Sequence, residues 1–265
     1  MSKHDQRAVA QHSAFERVAR SGFVVTGLLH IAIGYLAVQL VMGGGDVAAD
    51  PDPSGAFAEM SQRAGGQAAL WAAFGCFVAM ALWRLVETFL GRVADGEQSV
   101  SLFQRVSAFS LAVINAGLGY LAFRYATGQG VEDGEAVAFT GRLMQTTAGS
   151  ALLLIVGLVV VGVGVGYIYK GANRKFIDDL VGRAGGMLRK LGIAGYVGKG
   201  LVILMVGILV LVATARSQPE EAAGLDAALR TLAAQPFGPI LLYLAASGMA
   251  IFGVFSLAMV WRAKM

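Results

Sequence analysis

Apolar residues fall along this chain in six long runs, at 21–42, 68–83, 106–123, 143–169, 200–215 and 236–260, and the polar stretches between them hold nearly all of its charge. A helix needs roughly 17 to 25 residues to cross the hydrocarbon of a bilayer. Most of the runs reach that length unaided. The second and fifth have 16 residues each, and they reach it when Arg84 and Lys199 snorkel toward a membrane face. The pattern predicts an all-α integral membrane fold with six transmembrane helices. The first run, at 22 residues, exceeds the roughly 7 to 15 of a signal-peptide core and is expected to be a true helix.

Composition agrees with the pattern. Of 265 residues 56% are hydrophobic and 14% charged, where a soluble domain carries about 25% charged; mean hydropathy is +0.65. Cys76 is the only cysteine, which rules out an intramolecular disulfide and leaves the redox compartment open.

Charge adds orientation. Sixteen of the 21 Lys and Arg lie in the N-terminal segment, the second and fourth connections and the C-terminus. The other three connections hold Arg63, Arg124, Arg142, Arg216 and Arg230, together with ten of the 17 acidic residues. Basic residues mark the cytoplasmic side, so both termini are expected there. The net charge of +4 is then a topology signal. No basic patch interleaved with aromatics suggests a nucleic-acid partner.

Internal repetition organises the whole chain. Each odd-numbered helix follows a lead-in of apolar, any, basic, apolar: Phe15-Glu16-Arg17-Val18, Phe103-Gln104-Arg105-Val106 and Leu188-Arg189-Lys190-Leu191. A stripe at four-residue spacing follows, reading Gly22, Thr26, His30, Gly34, then Ser107, Leu111, Asn115, Gly119, then Gly195, Lys199, Ile203, Gly207. "AFAEMSQRAGG" at 56–66 resembles "ALRTLAAQPFG" at 228–238, and Gly66, Gly149 and Gly238 each precede or open an even-numbered helix. These features predict a single membrane domain over 1–265, built from repeat one at 15–92, repeat two at 103–176 and repeat three at 188–262. Two helices per copy make the repeats parallel, with pseudo-threefold symmetry about the membrane normal. Small residues on one face let backbones approach, which matters where lipid supplies no hydrophobic drive for association. Ala108, Ala112 and Ala116 form a second such ridge, and Gly162 with Gly166 has GxxxG spacing.

The three-copy hairpin, its basic lead-in, "LRTLAAQPFG" at 229–238, "ALWRLVE" at 81–87 and "YIYKGANRKF" at 167–176 resemble the bacterial six-helix membrane proteins grouped as domain of unknown function 1206. The resemblance runs from about Phe15 to Arg262. It implies a bacterial inner-membrane protein and carries no activity, ligand or catalytic residue. Where the pattern suggests QPFG-like text, the middle copy has "TTAG" at 146–149, which points to a different outer connection there.

Candidate chemistry is sparse. His30, about 12 Å along its helix, is placed to relay protons or bind a ligand, or to hold the bundle by an interhelical hydrogen bond. Thr26 and Asn115 share its stripe, and Lys199 lies about a turn inside its own helix, placed to meet an acidic solute or a lipid phosphate, with snorkelling to the headgroups the commoner fate. Arg84 and Glu87, three apart, share a helix face as an interfacial ion pair or a gate. Arg17, Arg105 and Lys190 form a repeated cytoplasmic basic set suited to anionic headgroups, or to topology anchoring alone. Residues 174–191 read as an amphipathic helix on the cytoplasmic surface, and 224–235, on the outer side, as a short re-entrant or surface helix. HExxH, P-loop, GxSxG and dinucleotide motifs are all missing, and three scattered histidines make no metal site, so no enzyme, metal or cofactor is expected. The expected role is structural, accessory or lipid-interacting, with membrane lipids and a membrane protein as partners. The rival expectation is a small-solute or proton transporter using His30, Asn115 and Lys199 near the threefold axis.

Overall fold

The computed structural model describes residues 13–42, 51–90, 102–131, 135–181, 185–219 and 224–262. In chain order the helices are α1 (Ser13–Val41), α2 (Pro53–Ser61), α3 (Gly66–Leu90), α4 (Leu102–Ala126), α5 (Glu135–Met144), α6 (Thr147–Ala172), a 3-10 turn (Lys175–Asp179), α7 (Gly186–Arg216), α8 (Leu225–Ala233) and α9 (Gly238–Arg262). No β-strand occurs among the described residues. Five segments, Gly22–Val41, Gly66–Phe89, Thr147–Ala172, Gly186–Arg216 and Gly238–Arg262, are long and apolar enough to cross a membrane. The helix at the third expected crossing, α4, has 25 residues but is not among the five. By length and composition the chain is a multi-pass membrane protein.

Two helices outrun their apolar cores. α3 continues seven residues past the run ending at 83, and the Arg84–Glu87 pair, at 2.6 Å, lies in that extension. α7 begins at Gly186 and carries Lys199 in its interior. The amphipathic helix expected over 174–191 does not form as one element. Arg174 takes a left-handed conformation, φ 57°, which ends regular helix, and a 3-10 turn follows. Phe176 of that turn is fully buried, its ring lying where a side chain on Gly192 would stand.

The described chain divides into two compact units: Met1–Thr26, Phe57–Gly130 and Ser256–Met265 form the first, Gly27–Ala56 and Val131–Phe255 the second. In the first, α3 and α4 run antiparallel. Gln67 donates to the Ala126 carbonyl at 2.9 Å, Trp71 and Phe74 meet the Phe123 ring at 5.8 and 5.6 Å, and Gly119 faces Phe77 and Val78. Phe57 is buried between Phe77 and Tyr125. Gly22 leaves room for the Met80 side chain, and Arg20 caps the end of α9 with a 2.8 Å bond to the Val260 carbonyl.

In the second unit α6 and α7 meet along glycines spaced by seven. Gly157, Gly164 and Gly171 on α6 and Gly200 and Gly207 on α7 are buried. A Cβ on Gly164 would lie 2.6 Å from the Leu204 nitrogen, and one on Gly207 2.7 Å from the Val161 nitrogen. A seven-residue repeat keeps such a seam on one face of both helices, in the manner of a left-handed coiled pair. The anticipated GxxxG pair takes no part: Gly162 and Gly166 are exposed, with open space where a Cβ would stand. The α9 helix packs between α7, through Gly195 against Phe252 and Gly198 against Gly248, and the second half of α1, through Gly34 against Ala246 and Gly253 against Gly27. The rest of α6 presents Leu152, Ile155, Leu158 and Val165 outward, a surface suited to lipid.

The four-residue stripes do not each face one partner. Steps of four residues turn a helix about 40° beyond a full revolution, so twelve residues rotate the stripe by about 120°. Gly22 and Gly195 therefore meet the second helix of their own copy, at Met80 and Phe252, each fourteen residues after the glycine that opens that helix. The stripes' last glycines meet the second helix of another copy. Gly119 lies against Val78, Gly207 against Val161 and Gly34 against Ala250, and all three partners stand twelve residues after Gly66, Gly149 and Gly238 respectively.

The short helices α2, α5 and α8 end in one repeated corner. Ser61, Met144 and Ala233 close α2, α5 and α8, and the corner glycine follows each by five residues. The nitrogens of Gly66 and Gly238 donate to the carbonyls of Arg63 and Gln235, three residues back, at 2.9 and 2.7 Å. Gly65 and Phe237, just before them, are left-handed at φ 77° and 64°. The middle copy reaches the same corner by other means: Gly149 donates to the Thr146 hydroxyl oxygen at 3.0 Å, and α6 starts two residues earlier. The text "TTAG" thus changes the cap and keeps the connection.

Candidate functional site

Lys199 and Phe252 are set by the glycines one turn before them. Gly195, Gly198 and Gly248 let the backbones of α7 and α9 touch, since a Cβ on Gly198 would sit 2.6 Å from the Gly248 Cα. The next turn of each helix then brings Lys199 over the Phe252 ring, with its ammonium 4.0 Å from the centroid. The same nitrogen lies 4.9 Å from the centre of the Tyr167 ring on α6. His30 on α1 approaches Phe252 too, at 5.0 Å between centroids. Three helices of the second unit thus meet at one phenyl ring of α9, and among the described residues the basic side chains recorded against it are His30 and Lys199. The Lys199 ammonium lies against both rings.

An aromatic column continues from this point. Tyr167 stacks on Tyr196 at 5.6 Å, Tyr196 stacks on Phe176 at 5.4 Å, and Phe255 meets both of the latter edge-on. Lys170 lies 5.4 Å from the Tyr196 centroid and is paired with Asp179 at 2.5 Å. This column fastens the 3-10 turn to α7 and α9. Aromatic pairs of this kind add about 0.5 to 1.5 kcal/mol each beyond burial.

The remaining candidates stand apart from the ring. Asn115 is buried and spends its amide on the Leu111 carbonyl of its own helix, at 2.7 Å. Glu87 takes Arg84 on one oxygen at 2.6 Å and the Trp83 indole on the other at 3.1 Å, so the pair is fixed on α3. Its counterparts at the same distance from the corner glycine, Tyr167 with Lys170 and Ser256 with Met259, carry no such pair: Lys170 turns to Asp179, and Ser256 and Met259 are buried. Thr26 is half-buried on α1. Arg105 and Lys190 are exposed, while the Arg17 side chain lies outside what is described. Among the described residues no group of His, Cys, Asp and Glu gathers as a metal site.

Sequence reasoning placed His30 and Lys199 but missed their meeting point. Tyr167, Tyr196 and Phe252 carry no motif; the available signal was that Lys199 and Phe252 each follow a glycine by four residues.

A family model described as Domain of Unknown Function (DUF1206) matches this sequence three times in tandem, at residues 21–91, 106–174 and 194–263. The sequence is 21% identical over 247 residues to the uncharacterized protein YxxB of Bacillus subtilis (strain 168), an alignment that covers 91% of this chain and 89% of that protein. No solved structure matches it.

Proposed function

We propose, from the premise that this chain belongs to the family Domain of Unknown Function (DUF1206), a structural or accessory protein of a bacterial inner membrane that works through lipid and protein contacts and catalyses no reaction. Its six long helices all cross the bilayer, α4 included, as three parallel copies with pseudo-threefold symmetry and both termini in the cytoplasm. One observation carries this reading. The last glycine of each copy's stripe rests at the same register, twelve residues past the corner glycine, on the second helix of the copy before it, with copy three standing before copy one. Each such contact pairs the first helix of one copy with the second helix of another at one register, which supports three equivalent hairpins. Glycine is used for adhesion between backbones, and the polar groups differ from copy to copy, as His30, Asn115 and Ile203 do at one stripe position. Arg17, Arg105 and Lys190 then serve at the cytoplasmic face as anchors and contacts for anionic headgroups. The partners are membrane lipids and a membrane protein, not nucleic acid.

The transport reading has one observation in its favour, the shared approach of His30 and Lys199 to Phe252. Asn115, its third member, is engaged with its own helix. Proteoliposomes carrying a pH gradient separate the two. The scaffold reading expects leakage no faster than in empty vesicles, and His30→Ala to change nothing. A flux that appears with the protein and disappears with His30→Ala would replace it by transport.

A further inference from the structure

Beside the contact of Gly119 with Val78, a groove of about 540 Å³ opens between α3 and α4 in the first unit. It runs from Phe123 at one end of the antiparallel pair to Phe109 at the other. Small side chains, Ala81, Ala112 and Ala116, leave the space, and the Tyr120 hydroxyl is the one polar side-chain atom in the lining. Its length and volume decide what fits. Phe109 and Phe123 are fourteen residues apart, about 21 Å along the helix. Spread over that length the volume gives a mean section of roughly 26 Å², where a helix 10 Å across fills about 80 Å². A helix of a second copy or of another protein is thus too thick to enter. A methylene takes about the room of a water, roughly 30 Å³, so the groove holds about 18 of them in file.

Charge singles out one end. Arg105 stands four residues before Phe109, one turn further along the same face of α4, and it is exposed. Arg124, at the other end, is half-buried with its Nε enclosed, so the exposed guanidinium belongs to Arg105. α3 and α4 carry one acid between them, Glu87. Both of its oxygens are engaged, by the Trp83 indole and by Arg84. Among the described residues no carboxylate pairs with Arg105. A guanidinium offers forked donors that match a phosphate, and the hydrocarbon groove begins one turn away. A molecule with an anionic head and a single chain's width of hydrocarbon behind it satisfies both.

We propose that the groove between α3 and α4 seats one acyl chain of an anionic phospholipid whose headgroup phosphate is held by Arg105. The site rests on the membrane reading and gives the headgroup role of Arg105 a defined place.

The test uses the full chain in phosphatidylcholine nanodiscs with a trace of phosphatidylglycerol or phosphatidylcholine carrying a diazirine on one acyl chain, crosslinked by light and mapped by peptide mass spectrometry. The phosphatidylglycerol probe is expected to label Leu82 and Val113 of the groove about fivefold more than the phosphatidylcholine probe, the weight of one basic side chain against an anionic headgroup. The outward face of α6, at Ile155 and Leu158, should take both probes alike, a comparison that needs no mutation. Arg105→Gln should erase the preference and Arg105→Lys keep most of it, whereas Lys190→Gln should leave it in place. Ala116→Trp, which fills the groove, should cut its labelling by either probe while α6 is labelled as before. Every variant is checked for monodisperse elution. Equal labelling of the groove by the two probes, or a preference that survives Arg105→Gln, overturns the site. A preference lost equally with Lys190→Gln overturns it in favour of general attraction to the basic face. A groove left unlabelled while α6 is labelled overturns it in favour of a protein cover. A chain labelled at neither place has not entered the bilayer, and that result overturns the membrane reading together with the site.

Discussion

Replacing Gly207 by leucine is expected to cost the fold about 3 kcal/mol or more, measured as the shift in reversible unfolding of the purified protein in mixed micelles. The seam between α6 and α7 has no slack at this position: the Cβ alone would lie 2.7 Å from the Val161 nitrogen and 3.1 Å from the Gly157 carbonyl oxygen. Those are backbone atoms, and only a separation of the two helices relieves the overlap. The same substitution at Gly34 should be comparably damaging, since its Cβ would stand 2.8 Å from the Ala246 carbonyl. At Gly119 the nearest atom is the Phe77 Cβ at 3.5 Å, an ordinary contact, so the effect there should be clearly smaller. Gly162→Leu serves as the control. Nothing lies within 4 Å of its Cβ, and it should stay within about 0.5 kcal/mol of the native chain. Equal losses at Gly207 and Gly162 would mean that the seam is not where the helices meet.

The corner glycines give the second large effect. A Cβ on Gly66, Gly149 or Gly238 would run into the main chain closing the preceding short helix, at Met60, Leu143 and Ala233. Alanine is therefore expected to cost about 2 to 4 kcal/mol at each, read by the same unfolding measurement, and to cost similar amounts in all three copies. The middle copy is the sharper case, because its sequence departs from the other two. Thr146→Ala, which removes the acceptor of the Gly149 N–H, should cost only about 1 kcal/mol, the ordinary weight of a helix cap. A tolerant Gly149 beside an intolerant Gly238 would show that the corner is not a shared device.

The all-helical, multi-pass character was legible in the sequence because lipid makes strict demands, and five of the six expected crossings are long and apolar enough to span. Spanning helices must be long and apolar, and their glycines recur with the fold, so run length and the repeats at Gly66, Gly149 and Gly238 could be read directly. Partner choice was less legible. A stripe at spacing four precesses around its helix, so Gly195 and Gly207 serve different neighbours although one pattern contains both. The GxxxG pair at Gly162 and Gly166 failed because spacing alone does not say which face is covered, and the packed glycines, 157, 164 and 171, recur by sevens. The surface helix expected over 174–191 failed at Arg174, whose left-handed backbone no propensity scale would assign. At the candidate site, charge drew attention to His30 and Lys199. Phe252 was invisible because one phenylalanine in an apolar run looks like any other until a second helix is laid against it.

Everything here depends on three hairpins crossing the bilayer in the same direction. The most direct measurement places single cysteines at Gln62, Gln145 and Ala234, exposed positions four residues before each corner glycine, and at Arg105 and Lys190, all in a Cys76→Ala background. An impermeant thiol reagent is then applied to intact cells and to inverted membranes. The account predicts that the three corners label together from outside the cell, and that Arg105→Cys and Lys190→Cys label only in inverted membranes. A corner that labels from the opposite face to the other two would contradict it.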